Sequence, residues 1–249
     1  MIYICGIRNR MEFILHPSTS RGTADFGWLK SRHSFSFGHY YNPERMGFGA
    51  LRVLNDDWVA PGAGFGTHPH SNMEIISIAL KGDLKHRDSM GNASVIRENE
   101  IQVMSAGSGI THSEMNANSD RAVEFFQIWI MPNQHNVIPR YDQMKIEIDA
   151  LQNQFVPLIA PQDEASNTLW LHQNAWLSMA SADEGAVLNY TCNNSNNGLY
   201  IFCIDGNFSI DDAITLDTRD AACIWNTERI DVKSTKAGRL LLIEIPLQP

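Results

Sequence analysis

Short apolar runs, separated by residues that favour turns, recur along most of this chain. In the first half they cover residues 48–54, 74–80, 101–104 and 123–130, and segments rich in Gly, Asn, Asp and Pro lie between them. Short strands spaced about 8–12 residues apart are typical of β-sandwiches and β-barrels. The pattern therefore predicts that the first half folds as a β-barrel.

The same pattern returns in the second half after an interruption. Residues 132–145 contain two prolines and scattered polar side chains, which predicts a linker over 133–145. Beyond it, apolar runs recur at 169–175, 176–180, 186–191, 199–204, 221–226 and 240–245. We therefore expect an all-β chain of two barrels, residues 12–132 and 146–249, with at most one or two helical turns near 139–152.

Composition and charge narrow the class of protein. The chain is 43% apolar and 19% charged, enough to bury a core, and its net charge of −9 comes without a run of Lys and Arg. Direct binding to nucleic acid is therefore not expected. No apolar stretch approaches the ~20 residues of a membrane helix, and no signal peptide is apparent. Four cysteines lack a C-x-x-C spacing, so we expect a cytoplasmic protein with buried, reduced thiols at Cys5, Cys192, Cys203 and Cys223.

Two short motifs carry the residues that bind metals. His68 and His70 stand two apart after a Gly-rich segment, and side chains two apart on a β-strand point to the same face. His112 and Glu114 repeat this spacing after another Gly-containing turn. If the two strands are neighbours, these side chains can meet at one ion. Glu74 would face inward by the same alternation, so spacing alone leaves the choice of carboxylate open.

Each motif alone has a simpler interpretation. An H-x-H segment is more often a surface or turn feature than a ligand pair. Because two such motifs occur in one all-β chain, each after a glycine turn, we favour a metal site. Imidazole and carboxylate ligands suit Fe(II), while Mn, Ni, Cu and Zn are chemically possible.

The first motif matches the signature of the cupin superfamily. Gly62, His68, His70, Glu74 and Gly82 fit it, with seven rather than six residues between the glutamate and the last glycine. A bicupin of two tandem jelly-roll barrels is the fold that this resemblance implies.

More specifically, the chain resembles the pirin family. The resemblance lies in "HPHSNMEII", "HRDSMGN", "MSAGSGITHSEMN" and "FQIWIMP", and the upstream segment beginning "GWLKSRHSF" is similar to the bacterial branch associated with quercetin 2,3-dioxygenase activity. The close match covers residues 24–132. The second half resembles the family's degenerate barrel only loosely, and its one histidine is His172. Residues 1–10 precede the match, so Met11 is an alternative start.

The resemblance selects between the two carboxylates. Pirin-like proteins take theirs from the second motif, which implies His68, His70, His112 and Glu114 around one divalent ion, with Fe(II) expected. Glu74 would then be a catalytic residue, either accepting a hydrogen bond from a ligand imidazole or acting as a general base. A purely structural carboxylate is the alternative.

Two functions follow from the resemblance. The first is a metal-dependent dioxygenase that uses O2 to cleave a flavonol such as quercetin with release of CO. The second is a redox-responsive regulatory protein that binds a macromolecular partner without turnover. A sugar isomerase or similar small-molecule cupin is disfavoured, because no substrate-specific motif can be identified.

Other segments are less informative. Residues 33–39, "HSFSFGH", could form an aromatic lid, but packing of a half-buried strand is favoured. His86 and Asp88 are predicted to be solvated hairpin residues. Trp170 and Trp176 are predicted to pack the second barrel.

Overall fold

The computed structural model describes residues 11–248, and almost all of its regular structure is β-sheet. Strands make up 59% and helix 3%. Within these residues the helices are two short 3-10 turns, Ser18–Ser20 and Ile148–Leu151. The predicted all-β class and the helical turn within 139–152 are therefore confirmed, while Cys5 lies outside the described residues.

Twelve strands form in the first part of the chain. They are β1 Glu12–His16, β2 Gly22–Asp25, β3 Leu29–His33, β4 Leu51–Val59, β5 Gly64–His70, β6 Glu74–Lys81, β7 Leu84–Asp88, β8 Ala93–Ile96, β9 Glu100–Ser105, β10 Ile110–Asn116, β11 Val123–Ile130 and β12 Arg140–Lys145. Eight follow: β13 Val156–Pro161, β14 Leu169–Leu171, β15 Trp176–Ala182, β16 Val187–Thr191, β17 Asn197–Ile210, β18 Ile214–Asp217, β19 Ala221–Trp225 and β20 Arg229–Pro246.

The first barrel consists of two packed antiparallel sheets. One has seven strands in the order β12-β9-β6-β11-β4-β3-β2, and the other has four in the order β5-β10-β7-β8. Apolar side chains of both sheets, among them Val59, Leu84, Ile96 and Phe125, form a core between them. This closed arrangement places β5 and β10, the two motif strands, side by side.

The second barrel is built on one nine-stranded sheet. Its order is β1-β19-β17-β20-β15-β13-β14, with β16 also pairing with β20 and β18 with β17. Its interior is an apolar cluster that includes Leu188, Ile201, Phe208, Ile230 and Leu242.

Two segments depart from the predicted division of the chain. Strand β1 pairs with β19, so residues 12–16 belong to the sheet of the second barrel. Strand β12 pairs with β9 along its whole length, so residues 140–145, predicted as linker, are an edge strand of the first barrel. Sequence pattern missed β12 because an edge strand is stabilised by main-chain hydrogen bonds and needs little apolar alternation. The remaining boundaries stay a prediction.

The two barrels share one apolar core. Side chains of the seven-stranded sheet, such as Phe126 and Ile128, pack in one cluster with Tyr200, Phe202 and Leu241 of the second barrel. Such burial stabilises each barrel against the other.

An ion cluster of one buried and two half-buried side chains lies in the same interface. Asp56 is 3.6 Å from Arg21 and 3.4 Å from Arg219. Each guanidinium also lies over a phenylalanine ring of the shared core, Phe202 at 5.1 Å and Phe126 at 5.6 Å.

The remaining predicted core residues have mixed positions. Trp176 is buried in the second barrel, as predicted. Trp170 is half-buried, and the Arg140 guanidinium of the first barrel lies 3.7 Å from its ring centroid. Strand β3 ends at His33, so residues 34–39 do not continue it; Phe35 is nevertheless buried in the core.

Cys192, Cys203 and Cys223 are free thiols; the last two are buried and Cys192 is half-buried. Burial raises the pKa of each of these thiols to about 12. Within residues 11–248, no helix is long and apolar enough to cross a membrane.

Candidate metal centre

Three of the predicted ligands meet between β5 and β10. The antiparallel register pairs His112 with His68 and Ile110 with His70. The His112 ring centroid lies 4.5 Å from that of His68 and 4.9 Å from that of His70. One nitrogen from each imidazole lies within 4.8 Å of the other two, a geometry that could hold a metal ion.

Strand alternation accounts for this convergence. Pro69 separates the two β5 histidines and stands opposite Thr111, so both intervening side chains point away from the cluster. The register then shifts between His112 and Glu114, which stands opposite Phe65. Such a bulge bends the strand and re-aims its side chains.

Glu114 lies deeper in the barrel. Its carboxylate accepts hydrogen bonds from Ser77 Oγ at 2.8 Å, Gln102 Nε2 at 3.1 Å and Gln127 Nε2 at 2.5 Å. Its oxygen belongs to a second group that could hold an ion, together with His86 and His112. His112 is therefore common to an outer group of three histidines and an inner group that contains Glu114.

His86 is the functional candidate that the sequence analysis missed. The prediction that it is solvated is wrong: its side chain is fully buried, as is that of Asp88. Strand β7 pairs with β10 and sets His86 opposite Glu114, inside the barrel. The spacing of His86 and Asp88, two apart like the other motif pairs, was the available signal.

Asp88 determines which nitrogen of the His86 ring carries the hydrogen. Its Oδ2 lies 3.1 Å from His86 Nε2. Burial raises the pKa of Asp88, but hydrogen bonds from Asn92 and His86 outweigh this and hold it below its ordinary value. The ionised carboxylate accepts a hydrogen bond from Nε2–H, which in the neutral ring leaves Nδ1 with a free lone pair. Nδ1 is buried and has no hydrogen-bond partner in the described chain.

The imidazoles of the outer group are suited to donate lone pairs. Burial and the neighbouring histidines lower the pKa of His70 to about 4 and that of His112 to about 3. Both rings are therefore neutral at pH 7, the form that binds metals. His68 Nδ1 lies 2.7 Å from the Gly66 carbonyl oxygen, which fixes its proton there and leaves Nε2 free.

Both nitrogens of His112 are buried without a hydrogen-bond partner among residues 11–248. Buried polar atoms are nearly always paired, so these point to a missing partner. The donor set and its protonation therefore fit a divalent metal ion.

Glu74 does not face this cluster, so the predicted inward orientation is wrong. It lies on the opposite face of β6 from Ser77, and accepts a hydrogen bond from Ser105 Oγ at 2.7 Å. Burial raises the pKa of Glu74 to about 7. Hydrogen bonds from Ser105 and the His172 backbone, and the charge of Arg140, act in the opposite direction but are weaker. The prediction assumed that His70 and Glu74 lie on one strand, along which side chains alternate between faces. Residues 71–73 instead connect β5 to β6, which belongs to another sheet, so the alternation does not carry over.

Two tandem jelly-roll barrels with a histidine cluster on adjacent strands of the first define a bicupin. The protein-family model described as Pirin matches residues 15–130, and the one described as Quercetinase C-terminal cupin domain matches residues 158–245. The quercetin 2,3-dioxygenase of Escherichia coli (strain K12) is 39% identical over 93% of this chain and 98% of its own length. The chain belongs to the pirin family.

Solved structures agree with this assignment. The crystal structure of YhhW from Escherichia coli has a TM-score of 0.89 at 36% identity, covering 94% of this chain and 98% of YhhW. The same protein in complex with nickel(II) gives 0.88 at 36% identity, covering 94% and 99%. A quercetin 2,3-dioxygenase from Acinetobacter baumannii, only 16% identical, shares the fold with a TM-score of 0.75 over 95% of this chain and 88% of its own.

Proposed function

We propose that this protein is a metal-dependent dioxygenase that cleaves a flavonol such as quercetin with release of CO. The observation that carries the proposal is the convergence of three imidazoles beside a buried carboxylate. Membership of a family in which a 39% identical relative is named quercetin 2,3-dioxygenase supports it.

The proposed ligands are His68, His70, His112 and Glu114. Fe(II) is the ion we propose, although Mn, Ni, Cu and Zn suit the same ligands, and the YhhW complex contains nickel. When bound, the ion supplies Lewis acidity toward the flavonol oxygens and the redox chemistry that dioxygen requires. His86, oriented by Asp88, would stand beside it.

The chain's own residues define the side from which a substrate can approach. His68 and His70 are half-exposed, whereas His112 and Glu114 are each 1% exposed. An open cavity of about 500 Å³ borders His70, with Ser71, Ser89 and Ile110 in its wall. The Trp129 ring meets the His70 ring edge-on at 4.9 Å and shields it from the barrel side. Substrate therefore enters from the rim, and the inner residues exclude water.

The test is turnover in air by protein loaded separately with Fe, Mn, Ni or Cu. We expect CO release and loss of the flavonol absorbance with at least one ion, and neither with the His112→Ala variant. Absence of both signals for every loaded form would contradict dioxygenase activity.

A regulatory function is the second candidate, favoured by the half-exposed positions of His68 and His70. An ion held there lies close enough to the surface for a protein partner to sense its oxidation state. Affinity capture with ferric, ferrous and metal-free protein tests this function. A partner retained only by the ferric form supports it, and identical partners for all three forms contradict it.

A further inference from the structure

A second cavity lies in the first barrel, beside the candidate metal centre. Its volume is about 610 Å³, within the ~300–1,000 Å³ range of small-molecule sites. Strands β2, β3 and β4 and the segment 37–40 form most of its wall. The residues that matter below are His33, Phe37, Tyr40, Asn55, Asp57 and Phe65.

A buried carboxylate in the wall of this cavity has one oxygen without a hydrogen-bond partner in the described part of the chain. Asp57 is 4% exposed, and its Oδ1 makes no hydrogen bond with any residue in the range 11–248. Burial raises the pKa of Asp57 to about 7, an effect that a hydrogen bond from Ser31 opposes. A buried oxygen that lacks a hydrogen bond destabilises the folded state. Such a cost at a cavity wall points to a ligand that supplies the missing hydrogen bond.

His33 provides a second acceptor. Its Nδ1 lies 2.8 Å from Asn55 Oδ1, so Nδ1 carries the proton and Nε2 the lone pair. Burial lowers the pKa of His33, which keeps the ring neutral. Nε2 makes no hydrogen bond within the described part of the chain.

Aromatic rings line the rest of the cavity. The ring centroid of His33 lies 5.4 Å from that of Phe37 and 6.4 Å from that of Tyr40. Phe37 in turn meets Trp129 at 5.3 Å, and Trp129 is the residue whose ring lies against His70. One wall of the cavity is therefore continuous with the candidate metal centre.

Flat apolar walls with hydrogen-bond acceptors match an aromatic ring that carries hydroxyl groups. We propose that this cavity binds such a ring, with its hydroxyls donating to Asp57 Oδ1 and His33 Nε2. This inference rests on the proposed function only in identifying the ring as part of the flavonol. Binding itself needs no metal.

The test measures quercetin binding to metal-free, chelator-treated full-length protein. Trp28, at 5.5 Å from Phe65, and Trp129 report on the cavity through their fluorescence. We expect Asp57→Ala to weaken binding about tenfold, the effect of losing one buried hydrogen bond. Asp120→Ala, the same change at an exposed position that does not line the cavity, should leave affinity within twofold.

A second ligand and a second variant make the result decisive. 3-Hydroxyflavone, which lacks the other ring hydroxyls, should bind wild type and Asp57→Ala equally. Asp57→Asn should be at least as stable as wild type, because it replaces a buried ionisable carboxylate with a neutral amide of the same shape. Equal loss for both ligands, unchanged quercetin affinity in Asp57→Ala, or a lower Tm of Asp57→Asn would each overturn the proposal.

The two proposals fail in different ways. Failure of metal-free wild-type protein to bind quercetin overturns the cavity assignment, whatever the turnover of the loaded enzyme. Binding without turnover, for every metal form, supports the cavity assignment and contradicts the dioxygenase activity.

Discussion

A buried carboxylate of the second barrel and the histidine cluster of the first differ in how their polar atoms are paired. In the second barrel the fully buried Glu244 accepts hydrogen bonds from the Tyr190 hydroxyl, the Asn193 backbone and side chain, the Asn194 backbone and the Asn197 side chain. Both of its carboxylate oxygens are hydrogen-bonded within the fold.

In the first barrel, His112 has two buried nitrogens, and His86 has one, with no hydrogen-bond partner among residues 11–248. This difference in pairing distinguishes a carboxylate with a structural role from side chains that can bind a ligand. A carboxylate whose lone pairs are all used stabilises a loop, whereas imidazoles that converge with unused lone pairs require something else to bind. Both barrels share the jelly-roll architecture, so the fold alone does not distinguish them.

The largest effect is expected from His112→Ala, because this residue belongs to both groups of candidate ligands. Metal affinity should fall by more than the roughly 10- to 100-fold that loss of a positioning residue costs. The fold should persist, since the barrel core carries its own apolar burial. Elemental analysis with far-UV circular dichroism checks both points, and full metal occupancy in the variant would contradict the site.

In the second barrel, Glu244→Ala should have the opposite pattern of effects: a loss of stability without a loss of metal. It leaves several buried donors unsatisfied, at roughly 1–3 kcal/mol each, so the free energy of unfolding should fall by at least about 3 kcal/mol. Metal content should not change. A urea titration measures the stability, and a variant as stable as wild type would show that the contrast between the barrels is mistaken.

His86 tests how far the site extends beyond the predicted ligands. Both His86→Ala and Asp88→Asn should lower metal affinity about 10- to 100-fold, since Asp88 orients His86 against the inner ligands. His39→Ala, at an exposed position, serves as the matched control. Competition with a chromophoric chelator measures the affinities; unchanged values for both variants would leave His86 as a packing residue.

The raised pKa of Asp57 predicts that the stability of the protein depends on pH. Its pKa is 3.8 when unperturbed and about 7 in the folded protein. Between these values the unfolded chain ionises while the folded protein keeps its proton, so wild type loses stability as pH rises. The stability gain of Asp57→Asn over wild type should grow from pH ~4 to ~7 and then level off. Urea titrations at several pH values measure this gain, with Asp25→Asn as the control. A gain that does not change with pH would contradict the prediction.

The smallest effect is expected from Glu74→Gln. Because Glu74 faces Ser105 and the second barrel, the variant should keep wild-type metal content, whereas Glu114→Gln should lose it. Loss of metal from Glu74→Gln with full occupancy in Glu114→Gln would show that the wrong carboxylate is assigned to the ion.

The sequence predicted those features that depend on local periodicity. Apolar runs between turns indicated two β-barrels, and the two motifs placed His68, His70 and His112 on common faces. Those relations hold because alternation along one strand is fixed by backbone geometry. They fail where the chain changes sheets, as it does between His70 and Glu74.

Pairing between distant strands could not be read from local pattern. The burial of His86 depends on β7 lying against β10, and the position of β1 depends on a partner strand some 200 residues away. Both are set by the global topology, which periodicity does not encode.

The central claim is that His68, His70 and His112, with Glu114, hold one ion. Anomalous scattering from a crystal of the metal-loaded protein, recorded at the metal's absorption edge, tests it most directly. The account predicts a single peak between the three imidazoles, about 2 Å from their nitrogens and bonded to a Glu114 oxygen. A peak elsewhere, or none in fully loaded protein, would contradict it.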